Sequence, residues 1–271
     1  MHLSLQLQPC RTGDGLPLFP AALPGADVWP AHCLTKAIPR PMTRMRVGTR
    51  LYTEDGTALF CVTGRIWLTT PPGLRHAHAY NCPILTALTD IAPLPNLDDA
   101  VRLEVRKEGR SLAWVTLSDK GSQGMREDLS GPAIADLAAA HLPLCHSQGF
   151  LLPDEASQLR ALLTDLALNQ GYDLICTTGG TGLSPRDITP QVTAALLDLP
   201  LPGFSQAMLA ASLDKTPYAA ISRAVAGVLG QSIIINLPGS RKGVQENLAA
   251  VLPALPHAFD KLHGDPADCG G

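Results

Sequence analysis

From residue 111 to residue 252 the chain alternates short apolar runs with segments of helical period, and no other feature narrows its fold as much. Residues 112–117 (LAWVTL) read as a buried strand, and 132–142 (PAIADLAAAHL) as a helix with proline near its first turn. A strand near 149–152 precedes 155–169, where Leu159, Leu162, Leu163 and Leu166 form an i, i+3, i+4, i+7 stripe. Residues 173–177 are a third strand, 189–197 and 204–213 are helices, and 231–236 (QSIIIN) are a fourth strand ahead of a helix over 243–252. This order predicts an α/β architecture: a mostly parallel sheet, helices on both faces and right-handed crossovers. In such a sheet ligands bind in the loops at the carboxyl ends of the strands, here the loops after 117, 152, 177 and 236.

The first 109 residues obey a different rule. Proline makes up 24 of 271 residues, nearly twice the usual share of about 5%. Pro9, Pro17, Pro20, Pro24, Pro30 and Pro39 exclude long helices from the first forty residues. Residues 47–62 alternate and turn at Glu54-Asp55-Gly56, a β-hairpin signature. Two further β-like runs lie at 65–69 and 100–105. A small, mainly β domain is therefore expected over 1–109, joined through the polar stretch 106–110 to an α/β domain over 110–265.

Lys and Arg number 21 against 24 Asp and Glu, a formal charge of -3. This balance excludes a strongly basic nucleic-acid binder and an acidic disordered tail. No run approaches 18 apolar residues, and the first residues lack a basic segment followed by an apolar core, so neither a membrane span nor a secretory signal is expected and the chain reads as cytoplasmic. Seven scattered cysteines without a C-x-x-C pair fit reduced thiols. His76-Ala77-His78 with Cys82 matches no zinc spacing and reads as ordinary loop.

Three of the predicted loops hold the chemistry. After the third strand run Thr177-Thr178-Gly179-Gly180-Thr181-Gly182-Leu183-Ser184-Pro185-Arg186-Asp187-Ile188-Thr189-Pro190. Three glycines in four residues allow positive φ, so that consecutive N–H groups can form an anion-binding nest. Thr181 and Ser184 add hydroxyls, Thr189 and Pro190 open the next helix, and Arg186 and Asp187 set a cation beside a carboxylate. A second loop, from Asn236 through Pro238, Gly239 and Ser240 to Gly243, places Arg241 and Lys242 in the first turn of a helix. That position opposes the helix dipole unless an anion lies between. The loop after the first strand, from Ser118 to Pro132, mixes hydroxyls, glycines, Lys120 and Arg126. Five cations at one end of a sheet suit a phosphorylated ligand. A plain glycine turn and a solvated basic turn remain alternatives for the first two loops. Neither a P-loop nor a G-x-G-x-x-G motif between strand and helix is present, which disfavours an ordinary P-loop ATPase or a Rossmann dehydrogenase.

Seven pieces occur in a recognisable order: Thr116-Leu117-Ser118-Asp119-Lys120, Gly124 with Asp128-Leu129-Ser130-Gly131-Pro132, Pro153-Asp154-Glu155, residues 177–190, Pro202-Gly203-Phe204, Ser222-Arg223, and residues 236–239. Together they make residues 110–263 resemble the molybdopterin-binding domain of the molybdenum-cofactor synthesis family, most closely its molybdopterin adenylyltransferases. The resemblance implies that Mg-ATP and molybdopterin react to give adenylyl-molybdopterin and pyrophosphate, and it implies a homotrimer.

It also implies roles. Asp154 and Asp187 correspond to the family's catalytic aspartates and would hold Mg²⁺ and position phosphate. Gly179, Gly180, Thr181 and Gly182, with Pro238, Gly239 and Ser240, would cradle phosphates or pterin. Ser118, Asp119, Asp128, Ser184, Arg186, Ser222 and Asn236 complete the expected substrate contacts. On residue chemistry alone, Asp154 equally suits an N-cap and Asp128 suits either a helix cap or a ligand contact. Two other readings use the same domain: a non-catalytic molybdopterin-binding or carrier protein, and a hydrolase of nucleotide-like substrates. A molybdenum-insertion protein is the expected partner.

Overall fold

The computed structural model describes residues 2–19, 34–35, 45–69, 79–92 and 100–264. The chain forms two compact units, Met1–Glu108 and Gly109–Gly271.

The first unit is a seven-stranded sheet. Its strands are β1 (His2–Gln6), β2 (Gly15–Phe19), β3 (Leu34–Thr35), β4 (Arg50–Tyr52), β5 (Ala58–Thr69), β6 (Ala79–Ala87) and β7 (Ala100–Arg106), in the order β1-β7-β4-β5-β6-β2-β3. Among the described residues of this unit there is no helix. The expected hairpin joins β4 to β5. Thr53 N–H donates to the Thr57 carbonyl at 2.9 Å, and Gly56 takes φ +85°. Residues 65–69, expected as a separate strand, are instead the far end of β5 and pair with β6 as Arg65↔Pro83 through Thr69↔Ala79. Pro17 and Pro83 lie inside β2 and β6, so part of the proline excess sits in strands rather than in loops. Alternate residues such as Leu3, Leu5, Leu51, Phe60, Val62, Leu85 and Leu103 form the core. His76 and His78 lie outside the described residues, while Cys82 is buried in β6 rather than placed in a loop.

The second unit runs β8 (Arg110–Leu117), α1 (Asp119–Ser122), α2 (Ser130–His141), β9 (Leu144–Leu152), α3 (Ala156–Thr164), β10 (Leu174–Thr178), α4 (Thr189–Ala194), β11 (Leu199–Pro200), α5 (Pro202–Leu213), β12 (Ala226–Leu229), β13 (Ser232–Leu237), α6 (Arg241–Val251) and α7 (Leu255–Leu262). Its six strands take the order β11-β12-β13-β10-β8-β9. The four strands read from the sequence are mutually parallel. The sheet as a whole is mixed, because β12 runs antiparallel to β13 and β11 antiparallel to β12. The mostly parallel expectation therefore holds in part, for the four strands β9, β8, β10 and β13, and the reason for the antiparallel edge is local. Only Gly230, at φ +60°, and Gln231 separate β12 from β13, whereas a parallel connection needs about a dozen residues or more.

Both faces are covered. Leu112, Leu174, Cys176, Ile233, Ile235 and Leu237 pack with Ile134 and Ala138 of α2, Val244 and Leu248 of α6, and Leu255 and Phe259 of α7. The intervening strand residues Ala113, Val115, Ile175 and Ile234 are equally buried and point the other way. There the Asn236 side chain meets Thr193 of α4 at 3.0 Å. Burial on both sides is why β10 shows no alternation, all five of its residues being buried. The helix expected over 155–169 is α-helical only to Thr164, and Asp165–Gln170 widens into a π-helical turn. Gly171, at φ +75°, closes that turn by donating to the Leu166 carbonyl at 2.9 Å. No described helix is long and apolar enough to cross a membrane.

Candidate active site

The carboxyl ends of β8, β9, β10 and β13 bring the four expected loops together. The 177–190 loop is the hub. Gly179 and Gly180 adopt φ +97° and +63°, conformations that side-chain-bearing residues avoid. Thr189 ties the far end of the loop back, its hydroxyl donating to the Gly179 carbonyl at 2.9 Å and its N–H to the Gly180 carbonyl at 3.1 Å. The N–H groups of Gly180, Thr181, Gly182 and Leu183 then meet no acceptor among the described residues. Consecutive unpaired donors of this kind form a cradle for anionic oxygens.

Two carboxylates border the cradle. Asp154, just past β9, forms a reciprocal pair with Asp119: its N–H donates to Asp119 Oδ1 at 3.1 Å, and its Oδ2 accepts from the Asp119 N–H at 3.3 Å. Asp187 Oδ2 accepts from the Ser184 N–H at 2.7 Å. Each aspartate therefore keeps Oδ1 free of any hydrogen bond among the described residues. A Cβ on Gly180 would lie 2.5 Å from Thr189 Oγ1, and one on Gly182 would lie 2.9 Å from Asp187 Oδ2, so neither position has room for a side chain. Burial pushes the Asp154 carboxyl above its ordinary value. The charges of Asp119 and Asp187 push the same way, against Arg186 and the Asp119 N–H. Arg186 spans the loops, its Nη2 lying 2.7 Å from Asp119 Oδ2 and 3.9 Å from Glu155 Oε1.

Two cavities flank this centre and share Ser240. The larger, about 450 Å³, is lined by Thr181, Gly182, Met208, Ser222, Pro238 and Lys242 among others. The smaller, about 310 Å³, is lined by Ser118, Arg126, Asp128, Gly179, Gly239 and Arg241 among others. Of the five cations expected here, Arg126 and Arg241 reach the smaller cavity, Lys242 reaches the larger, Arg186 spans the carboxylates and Lys120 sits in the short helix α1.

Several expected contacts also serve the fold. Ser118 and Ser240 cap α1 and α6, their hydroxyls accepting from Gly121 and Gly243. Asp128 anchors the start of α2: its Oδ1 takes the Ser130 and Gly131 N–H groups at 3.0 and 2.9 Å, and its Oδ2 takes the Thr116 hydroxyl at 2.6 Å. It edges the smaller cavity with both oxygens already engaged. Asn236 departs further from expectation. It is fully buried and opens into neither cavity, its Nδ2 donating to the Thr177 and Thr193 hydroxyls at 2.9 and 3.0 Å. It braces β10, β13 and α4 rather than facing a ligand. Met208 and Asn247 line the larger cavity from within helices and Arg223 underlies the 181–187 segment, and sequence reasoning assigned none of them a role. Only Arg223 left a trace, in the Ser222-Arg223 pair.

No three His, Cys, Asp or Glu side chains converge into a ready cation cage among the described residues. The donor set does fit Mg²⁺, which takes one or two carboxylates and completes its shell with water and substrate phosphate oxygens. Two aspartates with a free oxygen each, in a crowded negative field, provide that arrangement.

A family described as a probable molybdopterin binding domain matches residues 113–257. A molybdopterin adenylyltransferase of Helicobacter pylori is 40% identical over 154 residues, covering 56% of this chain and 86% of that protein. A gephyrin of Dictyostelium discoideum is 37% identical over 193 residues, 66% of this chain, although the match spans only 27% of that longer protein. Among solved structures, the molybdopterin biosynthesis enzyme MoaB of Thermus thermophilus is 45% identical with a TM-score of 0.53, covering 59% of this chain and 99% of that one.

Proposed function

Because this chain belongs to the family of probable molybdopterin-binding domains, we propose that its 110–265 domain transfers AMP from Mg-ATP to molybdopterin in molybdenum cofactor biosynthesis. The terminal phosphate oxygen of molybdopterin attacks the α-phosphorus of ATP. The bond from that phosphorus to the bridging oxygen of the β-phosphate breaks, and pyrophosphate leaves. Bringing two polyanions together calls for alignment and charge neutralisation more than for proton transfer. The observation that supports this reading most directly is the row of unpaired N–H groups from Gly180 to Leu183, bordered by Asp154 and Asp187 with one free oxygen each.

These residues divide the work. The cradle N–H groups and the first turn of α6 hold phosphate oxygens, with Arg126, Arg241 and Lys242 adding charge at the two cavities. Thr181, Ser222, Pro238, Gly239 and Ser240 shape the walls, Arg186 keeps Asp119 beside Asp154, and Ser184 holds Asp187 with one oxygen outward. Asp154 and Asp187 are the residues that would hold Mg²⁺. The ion, when bound, supplies Lewis-acid neutralisation of phosphate charge. The exposed Leu199 and Leu213 suit burial between copies of a homotrimer. The protein is expected to work in the cytoplasm and to hand its product to a molybdenum-insertion protein.

Purified protein given molybdopterin, ATP and Mg²⁺ should release pyrophosphate. Asp187→Asn should still bind both substrates and turn over about 10²–10³-fold more slowly, the scale of losing one preorganised electrostatic contact. Wild-type protein that binds molybdopterin yet releases no pyrophosphate would instead be a carrier. A strictly monomeric mass in solution would contradict the trimer.

A further inference from the structure

The 181–187 segment belongs to no helix or strand, yet it must hold Asp187 at a set distance from the glycine cradle. Within the segment Asp187 N–H donates to the Ser184 carbonyl at 2.9 Å, and the Ser184 N–H returns to Asp187 Oδ2. That closes a small ring around Asp187 but does not tie the ring to the rest of the unit. The Arg186 side chain reaches Asp119 from within the segment, and Arg223 ties down the segment's backbone. Its Nε donates to the Gly182 carbonyl at 2.7 Å, its Nη2 donates to the Asp187 carbonyl at 2.7 Å, and its own N–H donates to the Thr181 carbonyl at 3.2 Å. One residue therefore grips the segment at three carbonyls, two of them through the rigid fork of a single guanidinium. Lysine, with a single flexible ammonium, does not reproduce that fork.

Two further observations give the clamp a consequence for chemistry. Arg223 forms no ion pair with a carboxylate among the described residues, so its charge is spent on backbone carbonyls next to the anion cradle and adds to the positive potential there. Its chain neighbours Ser222 and Ala224 line the larger cavity, as do Tyr218 and Ile221 just before them. Arg223 thus joins a wall of the larger cavity to the segment that presents Asp187.

We infer that Arg223 is a positioning residue for phosphoryl chemistry at this site: it sets the placement of Asp187 and couples that placement to occupation of the larger cavity. The inference rests on the adenylyl-transfer reading for its kinetic consequence, whereas the clamp itself stands on the geometry.

The test uses the full chain and three variants, Arg223→Lys, Arg223→Gln and Arg223→Ala. Pyrophosphate release with molybdopterin and Mg-ATP should show kcat falling about 10²-fold in Arg223→Ala, the scale expected when a reacting group shifts by about 1 Å, while KM for ATP changes less than about three-fold. Arg223→Lys should recover only part of the loss. Millimolar guanidinium should restore activity to Arg223→Ala and leave Asp187→Asn unaffected, a rescue that a general loss of folding would not show. Hydrogen exchange supplies the second arm: the paired amides of Ser184 and Asp187 should exchange at least ten-fold faster in Arg223→Ala and Arg223→Gln, with those of β10 unchanged. Exchange at Ser184 and Asp187 matching wild type would overturn the clamp. A kcat within about three-fold of wild type, or a loss carried wholly by KM, would overturn the positioning role. Wild-type protein that releases no pyrophosphate would overturn the adenylyl-transfer reading instead, with exchange still deciding the clamp.

Discussion

Replacing Gly179 by alanine should damage the cradle and the second unit together. At φ +97° the backbone lies where a Cβ is strained, at a cost of about 1–3 kcal/mol. The added Cβ would also stand 2.5 Å from the Leu117 carbonyl oxygen. Carbon–oxygen approaches across sheets close to about 3.3 Å, so the loop or the end of β8 must move by roughly 0.8 Å, and such overpacking costs about 1–3 kcal/mol more. The sum, about 2–6 kcal/mol, should appear as faster native-state exchange of the β10 amides at 174–178, a measure confined to this unit. Pyrophosphate release should fall as well, by about 10²-fold for a displacement of this size. Gly203→Ala is the control. It lies near the start of α5 with no atom within 4 Å of the new methyl, so it should be neutral or stabilising by up to about 1 kcal/mol. If Gly179→Ala matched Gly203→Ala in both exchange and turnover, the argument from φ and close approach would be refuted.

Three other substitutions separate the roles assigned here. Asn236→Ala should lower stability by about 2–4 kcal/mol, because it opens a cavity and leaves the Thr177 and Thr193 hydroxyls unpaired. KM values per folded molecule should stay within about two-fold, and a selective rise in KM would restore Asn236 to the substrate contacts. Asp154→Asn should unfold at higher urea than wild type at pH 7 while losing activity. The folded-state pKa of Asp154 is raised, so ionising it costs the folded state. The cost is complete above that raised pKa and vanishes below the ordinary value of 3.8, and the gain in the variant should vanish there too. Urea titrations of both proteins at pH 7 and pH 3.5 check the sign. Asp128→Ala should destabilise by about 1–2 kcal/mol through loss of its two N–H acceptors at the start of α2, and circular dichroism against denaturant measures it.

The parallel strands and the loops between them were legible because their causes are local in sequence. Residues 174–176 and 233–235 are unbroken apolar runs because both faces are covered, and glycine clusters stand where the backbone turns to positive φ. The short partners β11 and β12 were not legible. A two-residue strand and a four-residue strand show no period, and they exist because a neighbouring edge pairs with them. β2 and β6 escaped for a different reason: Pro17 and Pro83 suggest loops, yet both sit inside paired strands.

Residue types and their spacing settled which chemistry the site supports: a glycine nest, two aspartates after successive strands, and cations in three loops. Tertiary structure decided which polar groups remain open to a ligand. Asn236 and Asp128 look like ligand contacts in sequence, yet folding consumes their donors and acceptors inside the protein, because a buried polar group left unpaired costs more than one that bonds. Asp154, Asp187 and the N–H groups of residues 180–183 keep unpaired atoms. Arg223 gained its place for the converse reason, since the carbonyls it holds lie 36 and 41 residues away and meet it only when the chain is folded.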